Sequence, residues 1–189
     1  AQAQSYGAYV GFFVMSMWSS RRYLGRVFRT AFMGTNEEDE SREPMRYRTA
    51  ILGAVGGFAF LALFGRAMGM SLTVTVVFFV LYFVVVVIVS RIRAELGFPT
   101  HDASVMGPHR IILTSAGVQH LSTSDVSSFG LLTWISRDYS SSPSPHMMES
   151  FKMAEQAGGI ARQMYKAVMI AGAVAMPVGF WMLLDSYYR

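Results

Sequence analysis

Four histidines are the residues best suited to bind a metal or transfer protons in this 189-residue chain. They are scattered, at His101, His109, His120 and His146, without the spacing of a metal site. Zinc sites, phosphate-binding loops and nucleophile elbows each need a fixed residue pattern, and the sequence contains none of these patterns. We interpret the histidines as loop or surface residues, and we expect no catalytic site, no metal site and no cofactor.

Cysteine and acidic residues narrow the chemistry further. The chain has no cysteine, which excludes disulfides, thiolate zinc sites, cysteine-ligated iron–sulfur clusters and a cysteine nucleophile. Five carboxylates in 34–45 could bind a divalent cation, but a solvated linker opposite the neighbouring arginines is favoured. A membrane enzyme is one hypothesis, ranked below the transporter and the accessory subunit that are described below. It depends on five polar residues that could cluster: Arg93, Glu95, His101, Asp102 and Asp138.

The amino-acid composition indicates that membrane-spanning helices position these residues. Hydrophobic residues make up 52% of the chain and charged residues 15%. Soluble domains carry about 25% charged residues, so much of this chain is expected to face lipid. Crossing a bilayer takes about 20 mostly apolar residues in a helix. Four stretches meet this requirement: 3–19, 49–69, 71–90 and 165–184.

These stretches predict an all-α polytopic membrane protein with four transmembrane helices and a small cytoplasmic helical cap. Only helices or closed barrels satisfy the backbone in lipid, and 71–90 has no charged residue. The predicted organisation is transmembrane helix 1 (1–19), a basic and acidic cytoplasmic loop (20–48), a transmembrane helical hairpin (49–90), the cap (91–164), and helix 4 with the C-terminus (165–189).

The distribution of basic residues predicts the orientation. The segments 20–48 and 91–166 carry 14 of the 16 lysines and arginines, and Arg66 and Arg189 are the others. Positively charged loops stay cytoplasmic, so we expect the N-terminus outside a bacterial cytoplasmic membrane and both long loops inside. The net charge of +4 is therefore a topology signal, and no nucleic-acid partner is expected.

Small residues at four-residue spacing predict where the helices pack, because they let helix backbones approach closely in a membrane. The alternative is that glycine and alanine are simply frequent in membrane helices. The predicted packing residues are Gly7, Gly11, Gly53, Gly57, Ala167, Ala171, Ala175 and Gly179. The expected partners are lipid and other transmembrane helices, either of one longer protein or of a larger complex.

Local signals subdivide the last third of the chain. Gly97 and Pro99 should end the third long helix, and Ser122 with Asp125 has the spacing of a helix capping box. Pro145 suits the first turn of a further helix. Three residues are predicted to act as hinges or kinks: Gly158, Gly159 and Pro177.

Two strings, RIRAELGFP at 91–99 and WISRDYSSSPSPHMMESFKMAE at 134–155, resemble an uncharacterised family of large bacterial polytopic membrane proteins, defined only as a domain of unknown function. The resemblance covers most of the chain, including the arginine-rich exit from the first span and the Tyr-Tyr-Arg end. That family is distantly similar to oligopeptide transporters, which implies a longer transporter-like protein. It supplies no known catalytic or substrate-binding residues.

Two functions follow as hypotheses. The chain is either a segment of a transporter for a small solute or peptide, with the cap as a gate, or a non-catalytic accessory subunit packed into a larger membrane complex. The transporter predicts stabilisation by its solute. The accessory subunit predicts co-purification at fixed stoichiometry without any response to solutes.

Overall fold

A computed structural model describes residues 2–33, 43–97, 107–136, 139, 142–158 and 161–189. Every regular element in these ranges is helical, which confirms the all-α prediction. The elements are α1 (Gln2–Met33), α2 (Tyr47–Ala67), α3 (Leu72–Leu96), α4 (Pro108–Ala116), a 3-10 turn (Val118–His120), α5 (Thr123–Ser136), α6 (Pro143–Gln156) and α7 (Ala161–Tyr188).

Three helices of the described chain, α2, α3 and α7, are long and apolar enough to cross a membrane. Their many exposed apolar side chains suit contact with lipid. The expected first span, 3–19, forms the N-terminal half of α1 and is not among the three. Glutamine, serine and tyrosine dilute its apolar residues, and the same helix continues without a break into the arginine-rich half.

A four-residue turn joins α2 to α3, and glycine allows the close approach of the two helices. A side chain at Gly65 would collide with Cγ2 of Thr75, which is fully buried in α3. Gly69 has a φ of 89°, in the left-handed region that favours glycine. These two glycines therefore fix the turn between α2 and α3.

The remaining helices are arranged around α3. It ends as the sequence predicts, because Gly97 follows its last residue with a left-handed φ of 64°. Helices α4 and α5 pack on the half of α3 nearest the α2–α3 turn, around an apolar cluster. The cluster consists of Met70, Phe78, Phe79, Ile112, Phe129 and Leu132.

The described parts of the expected 91–164 cap contact α3 at different levels. Helices α4 and α5 lie alongside α3, with Ile112, Phe129 and Leu132 buried in the shared apolar cluster. Helix α6 packs near the C-terminal end of α3. The cytoplasmic position of the cap remains a prediction.

Helix α7 is continuous over 28 residues and passes through Pro177 without interruption. It packs against α6, and none of its residues is buried. Beyond its first ten residues every residue of α7 is exposed, so the described chain leaves the apolar surface of 171–189 open to lipid or to other helices.

Candidate functional site

The most polar buried contact joins α5 to the α2–α3 turn through the carboxylate of Asp125. Asp125 accepts hydrogen bonds from the backbone N–H of Ser71 at 2.7 Å and from its hydroxyl at 3.3 Å. It also accepts from the backbone N–H and the hydroxyl of Ser122, at 3.2 and 2.8 Å. The Ser122 hydroxyl in turn accepts the backbone N–H of Asp125 at 3.1 Å, which confirms the predicted capping box.

One carboxylate therefore serves two helix N-termini, those of α3 and α5. Asp125 is only 2% exposed. Burial raises the pKa of Asp125, but the hydrogen bonds from Ser71 and Ser122 together lower it by more. The pKa of Asp125 therefore lies below the ordinary aspartate value. The group is held as an anion where helix N-termini favour negative charge.

Two serines extend this junction. It joins residues 117–125, where the chain turns from α4 into α5, to residues 68–71 of the α2–α3 turn, and is here called the hairpin tip. The hydroxyl of Ser124 donates to the carbonyl of Gly69 at 2.8 Å. The hydroxyl of Ser128 donates to the carbonyl of Met68 at 3.3 Å, one turn further along α5. The first turns of α5 are thus attached to the backbone that connects α2 and α3.

The middle of α3 is covered by aromatic and apolar side chains. Phe78 stacks on Phe129 with ring centroids 5.8 Å apart, and Tyr82 stacks on Tyr139 at 5.7 Å. Nδ1 of His109 lies 3.3 Å from the hydroxyl of Ser136, at the last residue of α5. The start of α4 and the end of α5 therefore meet beside the midpoint of α3.

Near its C-terminal end, α3 contacts α6 through polar side chains. The hydroxyls of Ser90 and Ser144 lie 3.0 Å apart. Nε of Arg93 donates to Oε2 of Glu149 at 2.7 Å, and the Arg93 side chain is only 10% exposed. This seam attaches the start of α6 to α3.

The same end of α3 contacts the basic part of α1. The guanidinium of Arg91 donates to the hydroxyl of Ser16 and, at 3.4 Å, to that of Ser20. One turn further along α1, the guanidinium of Arg21 lies 3.9 Å from the ring centre of Trp18, whose side chain is exposed. The arginines that leave α1 and those that end α3 thus gather at one end of the helix assembly, here called the basic end.

The predicted packing residues lie on surfaces that the described chain leaves uncovered. A Cβ atom at any of the five glycines would meet nothing within 4 Å, and the three alanines are exposed. Gly53 and Gly57 line an apolar groove of about 570 Å³ beside Phe58 and Phe83. The packing role of these residues remains a prediction.

The predicted hinge and chemistry residues are dispersed. Gly158 follows α6 with a φ of 70°, while Gly159 lies outside the described residues. Seven of the other residues considered for chemistry also lie outside them: His101, Asp102, Asp138 and, from the acidic run at 34–45, Glu37, Glu38, Asp39 and Glu40. Within the described ranges, His120 and His146 are exposed, and no three histidine or acidic side chains are grouped to hold a metal.

Sequence reasoning missed Ser71 as the second partner of Asp125 and Thr75 as the residue that Gly65 approaches. It also missed Gly65 and Gly69 as the glycines that matter in the α2–α3 turn. The only available signal was the short turn itself, Met-Gly-Met followed by Ser71. At nine residues, α4 is much shorter than a membrane span, so a length criterion does not single it out in the sequence.

The chain belongs to a family of unknown function, DUF6785, whose model matches residues 1–189. No curated protein and no solved structure is significantly similar to it.

Proposed function

We propose that this member of DUF6785 is part of a transporter-like polytopic membrane protein that moves a small solute or peptide. The observation that carries the proposal is the pair of short helices, α4 with nine residues and α5 with 14, that share an apolar cluster with the membrane-length helix α3. Transporters build their substrate sites from such discontinuous helices, whose ends supply polar backbone groups within the membrane.

The orientation follows from the basic end. Positively charged segments next to span ends remain in the cytoplasm, so the basic end faces the cytoplasm of a bacterium. The N-terminal half of α1 then serves as a fourth span and enters from outside, and α7 ends outside. Helix α6, attached to α3 by the Arg93–Glu149 pair, is the cytoplasmic cap.

The alternative is an accessory subunit without transport or enzyme activity. It is favoured by the uncovered small-residue faces of α2 and α7, which suit close packing against helices of a larger complex. In this alternative the α4–α5 pair only stabilises the α2–α3 hairpin.

Thermal unfolding of the purified protein with a panel of di- and tripeptides and small solutes separates the two functions. A solute that binds only the folded state stabilises it by about 2.7 kcal/mol at 100 times its Kd, which raises Tm in a concentration-dependent way. A transporter segment should show such a shift for one solute class and leave that solute chemically unchanged. Fixed-stoichiometry co-purification without any shift supports the accessory subunit and contradicts the transporter.

A further inference from the structure

The contacts of α3 show how far along this helix each segment packed against it lies. Going along α3, Ser71 contacts Asp125, Phe78 contacts Phe129 and Tyr82 contacts Tyr139. Further along, Ser90 contacts Ser144 and Arg93 contacts Glu149. The numbers rise together on both sides, so α5, Tyr139 and the start of α6 contact successive levels of α3 in the direction of its chain.

This distance matches the thickness of a membrane. An α-helix rises about 1.5 Å per residue, so Ser71 and Ser90 lie about 28 Å apart along α3. The hydrocarbon core of a bilayer is about 30 Å thick. If α3 crosses the membrane, the hairpin tip at Asp125 and the seam at Ser144 therefore lie near opposite surfaces.

We infer that α4 and α5 form a re-entrant hairpin: α4 runs from mid-depth toward the surface opposite the basic end, the chain turns there at the hairpin tip, α5 returns to mid-depth, and the exposed Arg110 faces a water-filled path. The inference rests on the proposed function, since it requires α3 to span the bilayer. It replaces a wholly cytoplasmic 91–164 segment with one whose central part is embedded in the membrane.

The tip has the chemistry of a segment that meets water. Gln119, His120 and Thr123 are all exposed and polar. They follow the short helix α4 and precede the buried carboxylate of Asp125. Hydrocarbon would leave these polar groups without partners, whereas an aqueous surface satisfies them.

Arg110 indicates where water must enter. It lies in the first turn of α4, whose start meets the end of α5 at mid-depth through His109 and Ser136. The backbone N–H groups of Arg110 and Ile111 donate to the carbonyl of Gly107, at 2.9 and 3.4 Å, while the side chain of Arg110 is exposed. Lipid does not accept a charge at this depth, so the side chain must be covered by protein or face a water-filled cavity. The exposure of Arg110 favours the cavity.

Single cysteines test the inference in intact cells, because the chain has no cysteine of its own. The variants are Gln119→Cys at the tip, Arg110→Cys at mid-depth, Lys152→Cys on α6 and Val174→Cys at the centre of α7, all at exposed positions. Thr123→Cys serves as a second tip variant if Gln119→Cys is poorly produced. Each is treated with a membrane-impermeant maleimide, which reacts only with thiols in contact with water, before and after permeabilisation.

We expect Gln119→Cys to be labelled from outside and Lys152→Cys only after permeabilisation. Arg110→Cys should react at least tenfold faster than Val174→Cys. The comparison is made before permeabilisation if the path opens to the outside, and after permeabilisation if it opens to the cytoplasm. Labelling of Gln119→Cys and Lys152→Cys from the same side, with Val174→Cys protected, overturns the re-entrant hairpin but not the membrane protein. Protection of Arg110→Cys equal to that of Val174→Cys overturns the aqueous path. Rapid labelling of Val174→Cys contradicts the proposed function itself.

Discussion

The backbone N–H of Ser71 donates to the carboxylate of Asp125 at 2.7 Å across 54 residues of sequence. Ser71 precedes the first residue of α3, and Asp125 lies in the first turn of α5. The same carboxylate also closes the capping box with Ser122. One side chain therefore sets the position of the α4–α5 hairpin relative to the α2–α3 turn.

Asp125→Ala should lower the free energy of unfolding by about 1–3 kcal/mol, because buried donors from Ser71 and Ser122 lose their acceptor. Asp125→Asn should cost less, since its amide oxygen can still accept. Thermal unfolding in detergent measures both changes. Asp185→Asn is the matched control, and its exposed pair with Arg189 should contribute no more than about 0.5 kcal/mol. Equal effects of the Asp125 and Asp185 variants would contradict the role assigned to the carboxylate.

The stability of the folded chain should depend on pH through Asp125. Its pKa is lower in the folded state than in the unfolded chain, so the stabilisation is present above the ordinary aspartate pKa of about 4 and is lost as the pH falls through the lower folded value. Unfolding profiles between pH 6 and pH 3, in about half-unit steps, should show a larger loss for the natural chain than for Asp125→Asn. Parallel profiles for the two proteins would show that Asp125 does not contribute to the pH dependence of stability.

Gly65→Ala should destabilise the α2–α3 hairpin because the added methyl group collides with Cγ2 of Thr75. Overpacking costs about 1–3 kcal/mol, which exceeds the gain in helix propensity of about 1 kcal/mol. Gly56→Ala, in open space on the same helix, should be neutral or stabilising. The double variant Gly65→Ala/Thr75→Ser removes Cγ2 and should recover much of the lost Tm. No recovery would mean that the two residues do not limit the helix approach.

Glu149→Gln should loosen α6 from α3 because it removes the charge that pairs with the mostly buried Arg93. The pair is partly open to solvent, so we expect a loss of about 1 kcal/mol. Glu155→Gln alters the exposed pair with Lys152 and should change stability by less than about 0.5 kcal/mol. Protease sensitivity of the α6–α7 connection reports the loosening directly. A stability loss for Glu155→Gln as large as that for Glu149→Gln would contradict the difference in burial.

Ala171→Leu and Ala175→Leu should leave the unfolding temperature of the chain unchanged, because both positions are exposed on α7. If this face packs against other helices, the larger side chains should reduce association, measured by native mass spectrometry in detergent. Met176→Leu, on a different side of the same helix, is the control. Unchanged association in all three variants would remove the predicted packing role of the small residues.

The elements that sequence predicted well are those determined locally. The spacing of Ser122 and Asp125 predicts a capping box, and Gly97 predicts the end of α3, because both signals act within one helical turn. Helix α6 begins at Pro143, two residues before the predicted proline, for the same local reason. Long apolar runs likewise identify α2, α3 and α7.

Contacts between distant residues could not be predicted in this way. Nothing near Asp125 in the sequence indicates that Ser71 is its second partner. The pairing of α4 with α5 was not predicted because each helix is shorter than a membrane span. A length criterion therefore assigns both helices to a loop. The sequence spacing of charges and helices does not show how far along α3 each segment lies, whereas the paired contacts along α3 do.

Labelling of one cysteine before α7 and one in its last turn tests the central claim most directly, because α7 is the most exposed of the three membrane-length helices. Lys152→Cys precedes α7 on α6, and Tyr187→Cys lies in its last turn. In sealed, right-side-out vesicles, the account predicts that an impermeant maleimide labels Tyr187→Cys at once and Lys152→Cys only after permeabilisation. Labelling of both residues from the same side would contradict a membrane-spanning α7 and, with it, the proposed architecture.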